Sequence, residues 1–258
     1  MTREKKPDPL EELRRLALEL SLTALPDALA SILERMESLS PSYTEFALEL
    51  LRTEWQMRRE RRVARALKRS RLGAVDGLDG FDYAARPQLE PRVVKQLLDC
   101  RFVVERRGVI CVGRPGLGKT RVAKALGKAA CLNGHGVLFT TAADMLDDIQ
   151  SALVERGGYL RTMSRYANVE LLILDEFGNV VFDEPSANTL FRIVSKRHGR
   201  RSTIITANAG FKQWHHYFPS EAVAVATGDR LIDRATILRF TGKSFRDPLE
   251  VTGAPIDE

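Results

Sequence analysis

Apolar residues in the first quarter of the chain recur every three or four positions. Leu10, Leu13, Leu16, Ala17 and Leu20 form one series and Leu29, Ile32, Leu33 and Met36 another, with charged residues between them. That is the helical period, and it predicts helix through residues 1–71. Pro26 suits a first helical turn. Ser40-Pro41 interrupts the pattern, and Ser42 followed by Glu45 has capping-box spacing, which opens a third helix through Phe46, Leu50 and Trp55. This helix runs into RRERRVARALKRSR, residues 58–71, with eight basic residues and one acidic, in which the interspersed Val63, Ala66 and Leu67 indicate one packed side. Gly73, Gly77, Gly80 and Pro87 then mark a linker.

From residue 109 the pattern changes. Short apolar, β-branched runs at 109–112, 137–140, 171–174, 203–206 and 237–240 alternate with helical stretches. Runs that are apolar along their whole length, rather than at every second position, predict strands buried on both faces. Strand–helix alternation predicts right-handed βαβ units and a parallel sheet. The expectation is therefore an α/β domain over 71–258 behind an all-α N-terminal domain over 1–70.

Composition adds direction rather than detail. An excess of Lys and Arg gives a formal charge of +6. Such a balance suits a chain that neutralises phosphates, although a basic soluble enzyme shares it. Cys100, Cys111 and Cys131 match no zinc or redox spacing, which points to free thiols in a reducing compartment. The start, MTREKKPDPLEELRR, lacks the apolar core of a secretory signal, and no apolar run is long enough to span a bilayer. A cytoplasmic protein without membrane contact is expected.

Four segments carry chemistry. GRPGLGKT, comprising Gly113, Arg114, Pro115, Gly116, Leu117, Gly118, Lys119 and Thr120, follows the first strand and opens a helix. Its glycines let backbone N–H groups curl around phosphate, Lys119 can reach the β- and γ-phosphates, and Thr120 can ligate Mg²⁺. LLILDEF ends a buried strand in Asp175, suited to holding magnesium through water, and Glu176, suited to orienting and deprotonating an attacking water. STIITAN ends another strand in Asn208, either a turn cap or an amide between γ-phosphate and water. In GDRLIDRA, Arg230 and Arg234 share a helix face, as surface cations or as a finger reaching a neighbouring subunit's ATP.

The order of these motifs, with ARALKRSRLGAVDGLDGFDY ahead of them and W-x₃-F (Trp214 to Phe218) and GKSFR after, resembles the IstB family of AAA+ ATPases over most of residues 60–248. The DnaC helicase loaders share much of this pattern. The resemblance implies the strand order 5-1-4-3-2 with a reduced lid. It also implies ATP- and DNA-promoted homo-oligomers on double-stranded DNA and delivery of that DNA to an IstA-type transposase. By position, Gly113–Thr120, Asp175, Glu176, Asn208 and Arg230 carry over as nucleotide residues, and Phe81 and Asp82 are placed near the adenine. Arg121 stands where relatives often have His, and Arg246 matches a family arginine for which a phosphate-sensing role is open.

Between the second and third strands, where the initiator and loader clade carries a helical insertion, Arg156, Arg161 and Arg165 are candidates for phosphate contacts. KRHGRR supplies Lys196, Arg197 and Arg201 as further candidates. No base-reading module is visible, so little sequence preference is expected. Rival readings are a helicase loader, a small-molecule kinase, for which no acceptor motif is visible, and an architectural DNA binder that only holds ATP.

Overall fold

The structure is a computed structural model that describes residues 8–154, 156–179 and 181–245. The chain divides into two compact units, Met1–Arg65 and Ala66–Glu258.

The first unit holds α1 (Pro9–Glu19), α2 (Leu25–Leu39) and most of α3 (Tyr43–Arg69). The capping box forms as the spacing requires. Ser42 N–H donates to Glu45 Oε2 at 2.8 Å, and Glu45 N–H donates back to Ser42 Oγ at 3.3 Å. Ala17, Leu25, Leu29 and Ile32 make a small core, with Phe46 and Leu50 against it. Trp55 does not join them; it is 62% exposed, with the Arg59 guanidinium over its ring. Glu54 is buried instead, and its carboxylate accepts the N–H groups of Ala24 and Leu25 at 2.9 and 2.8 Å. A carboxylate there satisfies the orphan donors at the start of α2 and complements its dipole. Arg58 pairs with Glu54 and donates to the Ser21 carbonyl, and Arg61 donates to the Thr23 carbonyl. Part of the basic run therefore serves helix packing.

The second unit is built on β1 (Val109–Gly113), β2 (Val137–Thr141), β3 (Leu171–Phe177), β4 (Ser202–Ala207) and β5 (Thr236–Phe240). All pairings are parallel and the order is β2-β3-β4-β1-β5, which read from the other edge is 5-1-4-3-2. Each predicted apolar run lies in one of these strands. The reason for their unbroken hydrophobicity is visible in β3. Leu171 and Ile173 pack into one core with Val122 and Leu126, while Leu172 and Leu174 pack into a second with Met145, Leu190 and Ile193. Pleating sends successive side chains to opposite faces, and helices cover both.

Those helices are α4 (Pro91–Leu98), α5 (Arg101–Val104), α6 (Lys119–Leu132), α7 (Ala142–Ser151), α8 (Gly158–Asn168), α9 (Glu184–Arg197) and α10 (Glu221–Ile232), with a 3₁₀ segment over Phe211–Tyr217. Ahead of β1, residues 91–104 form α4 and α5, and Val94 and Leu97 of α4 are buried in the first core. The start of this unit covers one edge of the sheet, where Phe139 N–H of β2 donates to the Ser70 carbonyl at 2.7 Å. Among the described residues, no helix is long and apolar enough to cross a membrane.

Candidate functional site

The turn between β1 and α6 is where the glycines are needed. A Cβ on Gly113 would lie 2.2 Å from the Phe240 carbonyl oxygen, and Gly118 has φ +90° with the Phe81 ring 2.8 Å from where a Cβ would stand. Only glycine fits at these two positions. Residues Pro115–Arg121 line a cavity of about 450 Å³ with Glu176, Asn179, Thr206, Asn208 and Phe245. The exposed Arg114 contributes its carbonyl. Lys119 is almost fully buried, and its ammonium donates to the carbonyls of Gly113 and Arg114 at 2.7 Å each.

The two carboxylates at the end of β3 differ in their surroundings. Asp175 is buried, and both its oxygens accept from Thr120 Oγ1, at 3.0 and 3.1 Å. Glu176 is exposed on the cavity, and the difference has a backbone cause. The pairing of β3 with β4 shifts register between Leu174 and Phe177, and Glu176 has φ +56°. This bulge turns the second carboxylate out of the strand's alternation and holds a non-glycine residue in the left-handed region, a strained state. Thr206 fixes both neighbours: its hydroxyl donates to Asp175 Oδ1 and accepts the Glu176 N–H at 3.0 Å. At the end of β4, Asn208 Nδ2 donates to Asn179 Oδ1 at 2.7 Å.

Thr206, Asn179 and Phe245 join the cavity beyond the residues expected from the motifs. Thr206 had a signal, since it stands in β4 two residues before Asn208, which follows the strand directly. Asn179 depends on the turn after β3, where Gly178 has φ +92° and lies against the Tyr217 ring; no motif announces it.

Other expected nucleotide contacts fall differently. Phe81 is buried behind the cavity wall, its ring meeting those of Tyr83 and Phe245. The Asp82 carboxylate accepts the Ala85 N–H at 3.0 Å and stays outside the cavity lining. Arg121 borders the cavity, but its guanidinium is committed to the carbonyls of Gly77 and Asp79 at 2.9–3.0 Å. Arg246 lies outside the described residues.

Arg230 sits on α10, donating to the Ala226 carbonyl at 2.8 Å with its guanidinium over the Phe191 ring. It lines a second cleft with Arg106, Arg201, Arg234, His198 and Asp233, beside Gly108 and Thr203. Those last two residues flank the N-terminal ends of β1 and β4, so Arg230 is at the opposite end of the sheet from the cavity in its own chain.

Among the other basic candidates, Arg156, Arg161, Lys196 and Arg201 are exposed. Arg165 is exposed but paired with Asp148 at 2.6 Å, which also takes Arg71 at 2.9 Å and the Tyr166 hydroxyl. Burial alone raises the Asp148 carboxyl, yet the bonds from Tyr166 and Arg71 hold it below its ordinary value. Arg197 is the exception and a correction. It is 2% exposed, and its guanidinium donates to the carbonyls of Tyr166 and Val169 at 2.8 Å, to that of Ser202, and to Thr203 Oγ1 at 3.0 Å. It ties the ends of α8 and α9 to β4, and its Nε, Nη1 and Nη2 donors are committed to those protein acceptors rather than to a phosphate outside. In sequence it reads like its basic neighbours; α9 turns it inward.

The model of the IstB-like ATP binding protein family matches residues 15–250. An ATP-binding protein of insertion sequence IS21 from Pseudomonas aeruginosa is 33% identical over 92% of this chain and 89% of that relative. One of insertion sequence IS5376 from Geobacillus stearothermophilus is 28% identical over 92% and 94%. In fold the chain is similar to the crystal structures of the DnaC helicase loader (TM-score 0.51, 19% identity, 58% of this chain and 87% of that one) and of DnaI (0.53, 19%, 68% and 92%). The parallel sheet in its AAA+ order, the phosphate-binding turn ahead of two carboxylates, and a family match along nearly the whole chain agree: this protein belongs to the IstB-like ATP-binding family.

Proposed function

We propose that the protein is a Mg²⁺-dependent ATPase that assembles as a homo-oligomer on double-stranded DNA, with little sequence preference, and brings that DNA to an IstA-type transposase in the cytoplasm. The relatives' association with insertion sequences supports the transposition context. The observation that carries the hydrolytic reading is Glu176, displaced by a bulge onto the same cavity as Lys119 and Thr120, with Asp175 behind Thr120.

The donor set fits the expected ion: one hydroxyl and one carboxylate meet 3.0 Å apart, and a magnesium shared with nucleotide phosphates uses few protein ligands. When bound there, Mg²⁺ neutralises charge on the phosphates. Lys119 exchanges its loop carbonyls for β- and γ-phosphate oxygens. Glu176 accepts a proton from the attacking water, and Asn208, steadied by Asn179, orients that water. Arg230 acts on the neighbouring copy's ATP, since it cannot reach its own chain's cavity. Arg156, Arg161, Lys196 and Arg201 contact DNA phosphates, each adding a share of a salt-dependent affinity.

Glu176→Gln tests this. The variant is expected to bind ATP, assemble with DNA and release phosphate roughly 10²–10⁴-fold more slowly. A wild-type rate, or a monomer in the presence of ATP and DNA, refutes the proposal. Capture of a transposase rather than a hexameric helicase separates it from the loader reading.

A further inference from the structure

The residues around the cavity fall into two groups. Glu176, Thr206, Asn208 and Asn179 are joined by their own hydrogen bonds and hold the polar chemistry. Phe245 and Arg121 belong to the other group, around the Phe81 ring. Phe245 comes from the segment after β5, and its position is built rather than incidental. Its backbone N–H donates to the Gly116 carbonyl of the phosphate-binding turn at 2.8 Å. Three residues earlier, Gly242 has φ +109° and is pressed against the Ala85 carbonyl so closely that a Cβ would lie 2.1 Å away.

The ring is supported from one side. The Arg86 guanidinium lies 3.9 Å from its centroid, and Phe81 meets it at 71°. Arg86 is itself 1% exposed and anchored, donating to the Leu117 carbonyl at 3.0 Å and the Ala85 carbonyl at 2.6 Å. Yet Phe245 remains 53% exposed on the cavity. A flat aromatic face, backed by a fixed cation and opening beside a triphosphate-binding turn, has the chemistry of a base platform.

We propose that the purine base of the nucleotide stacks on the free face of Phe245, forming a guanidinium–phenyl–base sandwich. This residue then distinguishes a nucleoside triphosphate from bare polyphosphate. The inference rests on the ATPase reading and names the part of the chain that reads the nucleoside.

The test compares ATP with inorganic tripolyphosphate, both with Mg²⁺, by calorimetry on the full chain. Phe245→Ala is expected to weaken ATP binding roughly ten-fold or more, the usual effect of removing a base-stacking ring, and to leave tripolyphosphate binding unchanged. Phe245→Leu, which keeps apolar bulk against Arg86, is expected to behave like the alanine variant. Phe245→Trp is expected to retain ATP affinity and to add a fluorescence change on ATP but not on tripolyphosphate. Equal weakening of both ligands overturns the proposal, because the ring then only buttresses the turn. Unchanged ATP affinity in the alanine and leucine variants overturns it too. A wild-type chain that binds neither ligand sinks the ATPase reading and this inference with it, whereas unchanged variants of a chain that binds both sink this inference alone.

Discussion

Arg197 offers the clearest separation between a residue that looks like a DNA contact and one that holds the fold. Arg197→Ala removes the donors serving four carbonyls and one hydroxyl: Tyr166, Ala167, Val169, Ser202 and Thr203. Each buried acceptor left without a donor costs about 1–3 kcal/mol. Water entering the vacated space recovers part of that, so a net loss of roughly 3–5 kcal/mol is expected, the range seen when a buried charged network is broken. Against a usual stability of about 5–15 kcal/mol this is a large fraction. Burial, reinforced by nearby Arg201, lowers the guanidinium to about 9, so it is still charged at neutral pH and its bonds are charge-assisted. Urea unfolding should show the loss as a lower midpoint with unchanged slope. Arg197→Lys, with one ammonium in place of a fork, should fall between the alanine variant and wild type. DNA affinity of the folded alanine variant, measured across a salt series, should match wild type in its slope. An unchanged urea midpoint, or a folded variant with a reduced salt slope, refutes the reasoning.

Two more outcomes follow from the site. Thr206→Val keeps the shape of a buried side chain but strips the donor from Asp175 and the acceptor from the Glu176 N–H. It should lower kcat roughly ten-fold or more while leaving ATP affinity near wild type, the cost of a lost buried hydrogen bond being about 1–3 kcal/mol; an unchanged kcat in a phosphate-release assay removes Thr206 from its positioning role. Burial, aided by the Asp175 carboxylate, pushes the Cys111 thiol up to about 12, and burial pushes Cys131 up to about 11, so both stay neutral at pH 8. With Cys100 also buried, native protein should resist an aromatic disulfide reagent and release colour only on denaturation; a thiol that reacts fast in the native state contradicts this packing.

The sheet was legible because hydrophobicity along a doubly covered strand is nearly continuous; the edge strand β5 alone breaks it among the five, with the exposed Arg239. The phosphate-binding turn was legible because its glycines answer steric demands that no other residue meets, as Gly113 against Phe240 illustrates. What escaped was set by tertiary geometry. The bulge at Glu176 arises from pairing with β4, Asn179 enters through a glycine turn against Tyr217, and Phe245 is placed by backbone contacts to Gly116. Likewise, Arg197 and its exposed neighbours carry the same charge in sequence, and only the path of α9 decides which of them is buried.

The cavity opens beyond the C-terminal end of β1, and the arginine cleft borders its N-terminal end. Five residues at about 3.3 Å each put more than ten ångströms of strand between the two. In the oligomer proposed above, the socket (the cavity) and the plug (the Arg230 cleft) therefore lie at opposite ends of one sheet. Two copies that fit them together must stack head to tail, a contact that is not its own mirror partner, and every such stack leaves an empty socket at one end and a spare plug at the other until it closes on itself or keeps growing.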